Sequence, residues 1–299
     1  MHQPVLLEAV LDRLRPSPGE THVDCTVGLG GHAARILSRL GPTGLLIGID
    51  RDAEALELAR PRLAAVGFPF RLVQGVYSRV ADILKSLGLR PEGTVDGLLL
   101  DLGVSSLQLD RAERGFSFLH DGPLDMRMSR GEGEAALELI EKASLEEIER
   151  VLREYGEEPA ARRIAQAIDA ARRKGGLRTT SQLAGVVEQV VPRRGKKIHP
   201  ATRTFQGIRI AVNGELEHLR VVLQTVDRLL RPGGRAVVLS YHSLEDRIVK
   251  ESFRQGVSEG FFRWVLPNPE RPSPEETDRN QRSRSARLRS VVRVVRGIP

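Results

Sequence analysis

Cysteine is nearly absent: Cys25 is the single one in 299 residues. One thiol excludes an intramolecular disulfide framework and a zinc site built on paired cysteines. The seven histidines are scattered without metal-ligand spacing, so no metal centre is expected. No run approaches the roughly 18 consecutive apolar residues that a membrane-spanning helix needs. The opening Met1-His2-Gln3-Pro4 has no basic region followed by an apolar run. A secretory signal is therefore not expected, and a cytoplasmic protein without membrane contact is the simple reading. Acid is missing from one long segment: Arg279 to Arg296 holds seven arginines and neither Asp nor Glu.

What is present is basic. The formal net charge is +7, and residues 193–197 read Arg-Arg-Gly-Lys-Lys. Two cationic clusters on a basic chain favour a polyanionic partner, nucleic acid first, over a merely solvated surface. The 40% hydrophobic content supports one large core, or a core with a smaller satellite domain.

The first hundred residues alternate. Strands are predicted at 22–25, 45–49, 70–73 and 95–100, and helices at 32–40, 53–65 and 80–87, a pattern that implies a parallel sheet covered on both faces. The alternation then stops. Ser144-Leu-Glu-Glu147 and Thr179-Thr-Ser-Gln182 are capping boxes opening helices, 160–172 reads as another helix, and no strong strand candidate intervenes. Sheet chemistry returns with a predicted amphipathic helix over 216–230, ended by Arg231-Pro-Gly-Gly234. A strand at 236–239, a helix at 243–253, a loop rich in Pro, Ser and charge at 267–287 and a last strand at 291–295 follow. The expected architecture is an α/β sheet domain of residues 1–108 and 206–299, interrupted by an all-helical domain of residues 109–205.

The segment Asp24-Cys-Thr-Val-Gly-Leu-Gly-Gly-His32 lies between a strand and a helix. Glycines there let a backbone turn tightly and approach a ligand. Gly28-x-Gly30-x-x-Ala33 even matches the dinucleotide fingerprint, with Asp50 following 22 residues after Gly28 to accept ribose hydroxyls. NAD and S-adenosylmethionine share that adenosine. Asp24 and Asp101 separate them: a carboxylate at the tip of the first strand suits an ammonium and is unhelpful beside a diphosphate, and Asp101 ends the fourth strand, bordering the ligand crevice of an open α/β sheet. Gly28–His32, Asp50 and Asp101 are expected to converge there.

These residues resemble the bacterial methyltransferases that modify the N4 amine of a cytosine in small-subunit ribosomal RNA, the RsmH/MraW family. The resemblance is carried by His2-Gln3-Pro4-Val5-Leu6, Asp24-x-Thr-x-Gly-x-Gly-Gly-His32, Gly48-Ile-Asp50-Arg-Asp52, Asp96-Gly-Leu-Leu-Leu-Asp-Leu-Gly-Val-Ser-Ser106, Arg114-Gly-Phe-Ser-Phe118 and Pro123-Leu-Asp-Met-Arg-Met128. It continues through His199-Pro-Ala-Thr-Arg-Thr-Phe-Gln206, Pro232-Gly-Gly, Tyr241-His-Ser-Leu-Glu-Asp246 and Arg282-Ser-Arg-Ser-Ala-Arg-Leu-Arg289. Asn280-Gln-Arg stands where relatives often have Asn-Pro-Arg, a local departure. The resemblance implies a class I, Rossmann-like S-adenosylmethionine methyltransferase domain with an inserted helical domain. It further implies a 16S rRNA substrate, in the decoding region and within the 30S subunit, and cofactor contacts at Gly30, Gly31, His32, Asp50, Tyr77, Asp101 and Gln108.

A cytosine N4 amine is a poor nucleophile, so the protein must align it and accept one of its hydrogens. Candidate acceptors follow the fourth strand: the Asp101 carboxylate, the carbonyls of residues 102–104, and Ser105, with the backbone and Ser105 favoured because Asp101 is expected to hold cofactor. His242 is a candidate proton relay or a structural hydrogen-bonder. Phe116 and Phe118 are candidates for stacking on a base. Arg193, Arg194, Lys196 and Lys197, with Arg282, Arg284 and Arg287, are candidates for phosphate contact. The competing readings are an NAD-dependent oxidoreductase on the same fold and a noncatalytic RNA-binding protein.

Overall fold

The computed structural model describes residues 4–193, 195 and 199–295. By chain contacts these form two compact units, residues 1–103 with 216–299, and residues 104–215. The second is wider at both ends than the 109–205 expected from sequence. The reason is local: residues 206–215 tie back into it through Asn213, whose amide meets the Met126 carbonyl at 2.7 Å and the Met128 N–H at 2.9 Å.

The first unit opens with α1 (Leu7–Leu14), β1 (Thr21–Asp24), α2 (Gly31–Leu40), β2 (Leu45–Asp50), α3 (Ala53–Ala64), β3 (Phe70–Gln74), α4 (Val80–Ser86) and β4 (Val95–Asp101). The chain then builds the second unit from α5 (Ser106–Asp110), α6 (Ala136–Lys142), α7 (Leu145–Glu154), α8 (Ala161–Arg173), α9 (Thr180–Val190) and α10 (Ala201–Asn213). The first unit resumes along α11 (Glu215–Leu223), α12 (Val226–Leu229), β5 (Leu230–Ser240), α13 (Ser243–Ser258), β6 (Phe262–Trp264), α14 (Pro274–Arg279) and β7 (Arg287–Arg293). No helix among the described residues is long and apolar enough to cross a membrane.

The strands form one sheet in the order β3-β2-β1-β4-β5-β7-β6. The first five are parallel; β7 runs antiparallel to both β5 and β6. Burial on both faces explains the continuous apolar runs of the central strands. Along β4, Leu98 and Leu100 face α4, α11 and α13, whereas Leu99 faces α1, α2 and α3. β1 and β4 end side by side, and β2 ends next to β1. Three strand-end carboxylates, Asp24, Asp101 and Asp50, are thereby brought to one edge of the sheet.

The second unit has its own core, in which Met126, Leu152, Ile164, Ile168, Leu183 and Val187 are fully buried. The capping boxes at Ser144/Glu147 and Thr179/Gln182 form as the sequence spells them.

Several elements differ from the sequence-based expectation. The helix predicted over 216–230 breaks after Leu223, where the Thr225 hydroxyl takes the Val222 carbonyl at 2.7 Å. A helix does end just ahead of Arg231–Gly234, α12 stopping at Leu229, but those four residues also bulge within β5, whose register jumps from Val95↔Leu230 to Gly97↔Arg235. The last strand begins earlier than the predicted 291. The segment 267–287 contains α14 and a short helical turn at Gln281–Ser285, pinned by Glu270 pairing with Leu288 and with Arg13.

Candidate active site

The turn after β1 is shaped by glycine. Gly28 and Gly30 have φ of 51° and 76°, in the left-handed region that side chains avoid, and a Cβ at Gly30 would stand 3.1 Å from Ala59. Gly30 precedes the first residue of α2, Gly31, against which Pro4 packs. This turn, the end of β2 and the end of β4 are knit together by side chains.

Asp50 accepts the Gly28 N–H at 2.8 Å through Oδ2 and the Asp52 N–H at 2.9 Å through Oδ1. A carboxylate offers about four acceptor positions, so two remain. Burial pushes Asp50 up to about 6, against those two N–H bonds. Asp24 is wholly buried. Its Oδ1 accepts the Thr26 N–H at 3.1 Å, and its Oδ2 has no partner among the described residues. Burial pushes it up to about 7, opposed by His32 and the Thr26 N–H and assisted by the negative charges of Asp101 and Asp50.

His32, in the first turn of α2, is buried and faces an acceptor on each side: its Nε2 lies 2.9 Å from the Val5 carbonyl and its Nδ1 lies 3.4 Å from Asp101 Oδ2. Burial alone would depress its proton affinity. The hydrogen bond and charge of Asp101, with Asp24 and the Val5 carbonyl, outweigh that and hold it above the ordinary histidine value. Asp101 also accepts the Tyr241 hydroxyl on Oδ1 at 2.7 Å, while its own N–H donates to Thr26 Oγ1 at 2.6 Å. Tyr77 begins a short helical turn after β3, half-buried, with its ring edge-on to His218 at 6.3 Å. His218 in turn meets Ser78 Oγ at 3.0 Å.

The structure therefore brings Asp24, Gly28, Gly30, Gly31, His32, Asp50 and Asp101 to one end of the first unit. Ser105 and Gln108 belong to the second unit, where they form a capping box at the start of α5: Ser105 Oγ accepts the Gln108 N–H at 3.3 Å and Gln108 Oε1 accepts the Ser105 N–H at 3.1 Å. His242 is engaged at the start of α13, its Nδ1 facing the Glu245 N–H at 3.5 Å and its Nε2 lying 3.1 Å from the Glu245 carboxylate. The Nε2 makes no hydrogen bond among the described residues, so the cap occupies Nδ1 and both expected roles, proton relay and structural hydrogen-bonder, stay open.

One expectation about RNA contact needs correction, and two further candidates are already engaged within the protein while staying partly exposed. Phe116 is 6% exposed and belongs to the core of the second unit, so it has no face to offer a base. Phe118 is half-buried against Phe205, with ring centroids 4.9 Å apart, and His199, at 4.3 Å; its stacking partners are protein rings. Arg287 pairs with Asp246 at 2.7 Å beside the buried Arg289, which grips the same carboxylate at 2.7 and 3.2 Å. A strand places residues two apart on one face, and here that face closes an ion cluster. Arg193, Arg282 and Arg284 are exposed; Arg194, Lys196 and Lys197 lie outside the described residues. Sequence reasoning missed Tyr241 and Thr26, which hold Asp101; the signal for Tyr241 was its position directly after β5.

A parallel sheet of this strand order, closed by an antiparallel β7 and carrying a glycine turn after β1 with acids at the ends of β1, β2 and β4, defines the class I, Rossmann-like methyltransferases. The chain belongs to the MraW methylase family, whose model matches residues 1–294. It is 47% identical over 307 residues to the ribosomal RNA small subunit methyltransferase H of Trichlorobacter lovleyi, covering 97% of each chain. It is 48% identical over 310 residues to the protein of the same name from Syntrophotalea carbinolica, covering 98% of each. Among solved structures it is similar to a SAM-dependent O-methyltransferase from Thermotoga maritima, at 11% identity and a TM-score of 0.44, over all of this chain and 69% of that one.

Proposed function

We infer that this chain transfers a methyl group from S-adenosylmethionine to the exocyclic N4 amine of a cytosine in 16S ribosomal RNA, within the 30S subunit and hence in the cytoplasm. The name carried by its relatives supports the substrate. The observation that carries the cofactor is the Asp24 carboxylate at the end of β1: wholly buried, with one oxygen left without a partner among the described residues. A buried orphan acceptor is costly to maintain unless a donor arrives. An ammonium satisfies it, whereas a diphosphate at the same turn would meet a like charge, which disfavours a dinucleotide oxidoreductase.

The residues present fit the donor. Asp24 would take the ammonium, the two open acceptor positions of Asp50 would take the ribose hydroxyls, and Tyr77 would lie against the adenine. Gly28, Gly30 and Gly31 let the backbone approach, and His32, paired with Asp101, would border the carboxylate end. Gln108 belongs to the same proposed set. S-adenosylmethionine supplies an electrophilic methyl sulfonium. The protein's contribution is to orient the amine in line and to hold one of its hydrogens. The carbonyls of Leu102, Gly103 and Val104 and the Ser105 hydroxyl are the acceptors proposed; as a cap, Ser105 Oγ gives one lone pair to the Gln108 N–H and keeps a second that would accept the amine hydrogen. The helical unit 104–215 is proposed to grip the RNA around a cytosine displaced from its stack, with Arg193, Arg194, Lys196 and Lys197 on phosphates and Arg282 and Arg284 adding contacts from the first unit.

Mass mapping of nucleosides after incubation with labelled cofactor tests the reading. Unmodified 30S subunits should yield N4-methylcytidine at one site, and free 16S rRNA less. Label on another base or atom, or no label on either substrate, overturns it.

A further inference from the structure

Tyr241 directly follows β5, and two of its contacts fall on the segment leaving β4. Its hydroxyl donates to Asp101 Oδ1 at 2.7 Å. Its ring lies over Gly103, where a Cβ would stand 3.4 Å from Tyr241 Cδ2 and where φ is 95°. The same segment is pinned from below: the Asp101 N–H donates to Thr26 Oγ1 and the Leu102 N–H to the Leu239 carbonyl at 3.0 Å. Tyr241 is itself anchored. Its N–H donates at 2.8 Å to Glu245, a buried residue in the first turn of α13, and the neighbouring Asp246 is locked to β7 by Arg287 and Arg289.

We propose that Tyr241 is a positioning residue for methyl transfer, clamping residues 101–103 so that their backbone meets the amine in register. The proposal rests on the reading of residues 102–105 as the amine-facing segment. The phenol suits the task. Burial and the adjacent Asp101 charge hold it well above the ordinary tyrosine range, so it stays a donor at working pH. The other oxygen of Asp101 faces His32, so the carboxylate is held from two sides and cannot rotate freely. Alignment of reacting groups is sensitive to displacements of about 1 Å, which can cost on the order of a hundredfold in rate.

Tyr241→Phe keeps the ring over Gly103 and removes the hydroxyl alone. Single-turnover methyl transfer to unmodified 30S subunits at saturating cofactor should fall about tenfold or more, the value of one hydrogen bond to a charged group. The KM for S-adenosylmethionine should change by less than about threefold, because the proposed contacts of Asp24 and Asp50 remain. In a double-mutant cycle, Tyr241→Phe should add little to Asp101→Asn. An unchanged single-turnover rate, a loss confined to KM, or losses that multiply with Asp101→Asn would each overturn the proposal. Hydrogen exchange at the amides of 101–103, read in the protein alone, separates this failure from that of the rRNA reading. Faster exchange in Tyr241→Phe, with no methyl transfer by either protein, keeps the clamp and removes the substrate assignment. Unchanged exchange removes the clamp.

Discussion

Replacing Asp24 by Asn should make the apoprotein's stability less dependent on pH while impairing its cofactor site. Asp24 moves from 3.8 to about 7 because it is buried. An acid that holds its proton more tightly when folded makes the native state the better proton binder between those values, so native stability falls as pH rises through that window. At 1.36 kcal/mol per pH unit the displacement is worth about 4 kcal/mol over the whole range, of which somewhat more than half falls between pH 5 and pH 8. Asn cannot ionise. Between pH 5 and pH 8 the wild-type unfolding free energy should therefore decline by about 2 to 3 kcal/mol more than that of Asp24→Asn. His32 and Asp50 also favour the folded state at low pH, but they titrate in both proteins and largely cancel in the difference. Urea titrations followed by Trp264 fluorescence suit the measurement, since the single tryptophan lies in β6 and reports on the first unit alone. The same acid predicts proton release. Near pH 6, binding of an ammonium to Asp24 should expel its proton, visible as a dependence of calorimetric heat on buffer, and Asp24→Asn should release none while binding about 30-fold more weakly. Superimposable stability profiles for the two proteins would refute the reasoning, because Asp24 would then be ionised in the apoprotein.

Other substitutions separate the remaining assignments. Asp50→Ala should weaken S-adenosylmethionine about tenfold or more by calorimetry, with turnover at saturating cofactor less affected. Ser105→Ala should lower the single-turnover rate more than cofactor affinity, with about 1 kcal/mol of stability lost from the missing cap. Phe116→Ala should destabilise the second unit by about 3–5 kcal/mol in thermal unfolding; a loss of RNA affinity with unchanged stability would reinstate it as a base contact. Neutralising Arg193, Arg194, Lys196 and Lys197 together should flatten the salt dependence of RNA binding by up to about three in the log–log slope, and an identical slope would remove them from the interface.

Much of this fold was legible because its signals are local. β2 and β4 are apolar runs that only a doubly covered strand explains, and Ser144, Thr179 and Asp24 announce themselves by position. The misses have equally local causes. α1 follows Leu6, a left-handed residue whose side chain caps nothing, so its start carries no sequence mark. α10 opens at Pro200, again without a side-chain cap. Phe116 and Phe118 sit in an irregular segment, where no periodicity tells an inward ring from an outward one. Arg287 and Arg289 looked like part of a cationic tail because Asp246, their shared partner, lies 41 and 43 positions away in sequence. His242 followed by Glu245 is a capping pair visible in the sequence, and it forms at the start of α13.

The Val5 carbonyl that faces His32 belongs to a turn whose next N–H, that of Leu6, is bound 2.7 Å away by Glu276, a partner 270 positions further along. The acid sits in α14, so the two ends of the first unit's chain are fastened to each other one residue from the carbonyl that His32 faces. A substitution in α14, far from the glycine turn in sequence, is therefore one backbone step from the buried histidine.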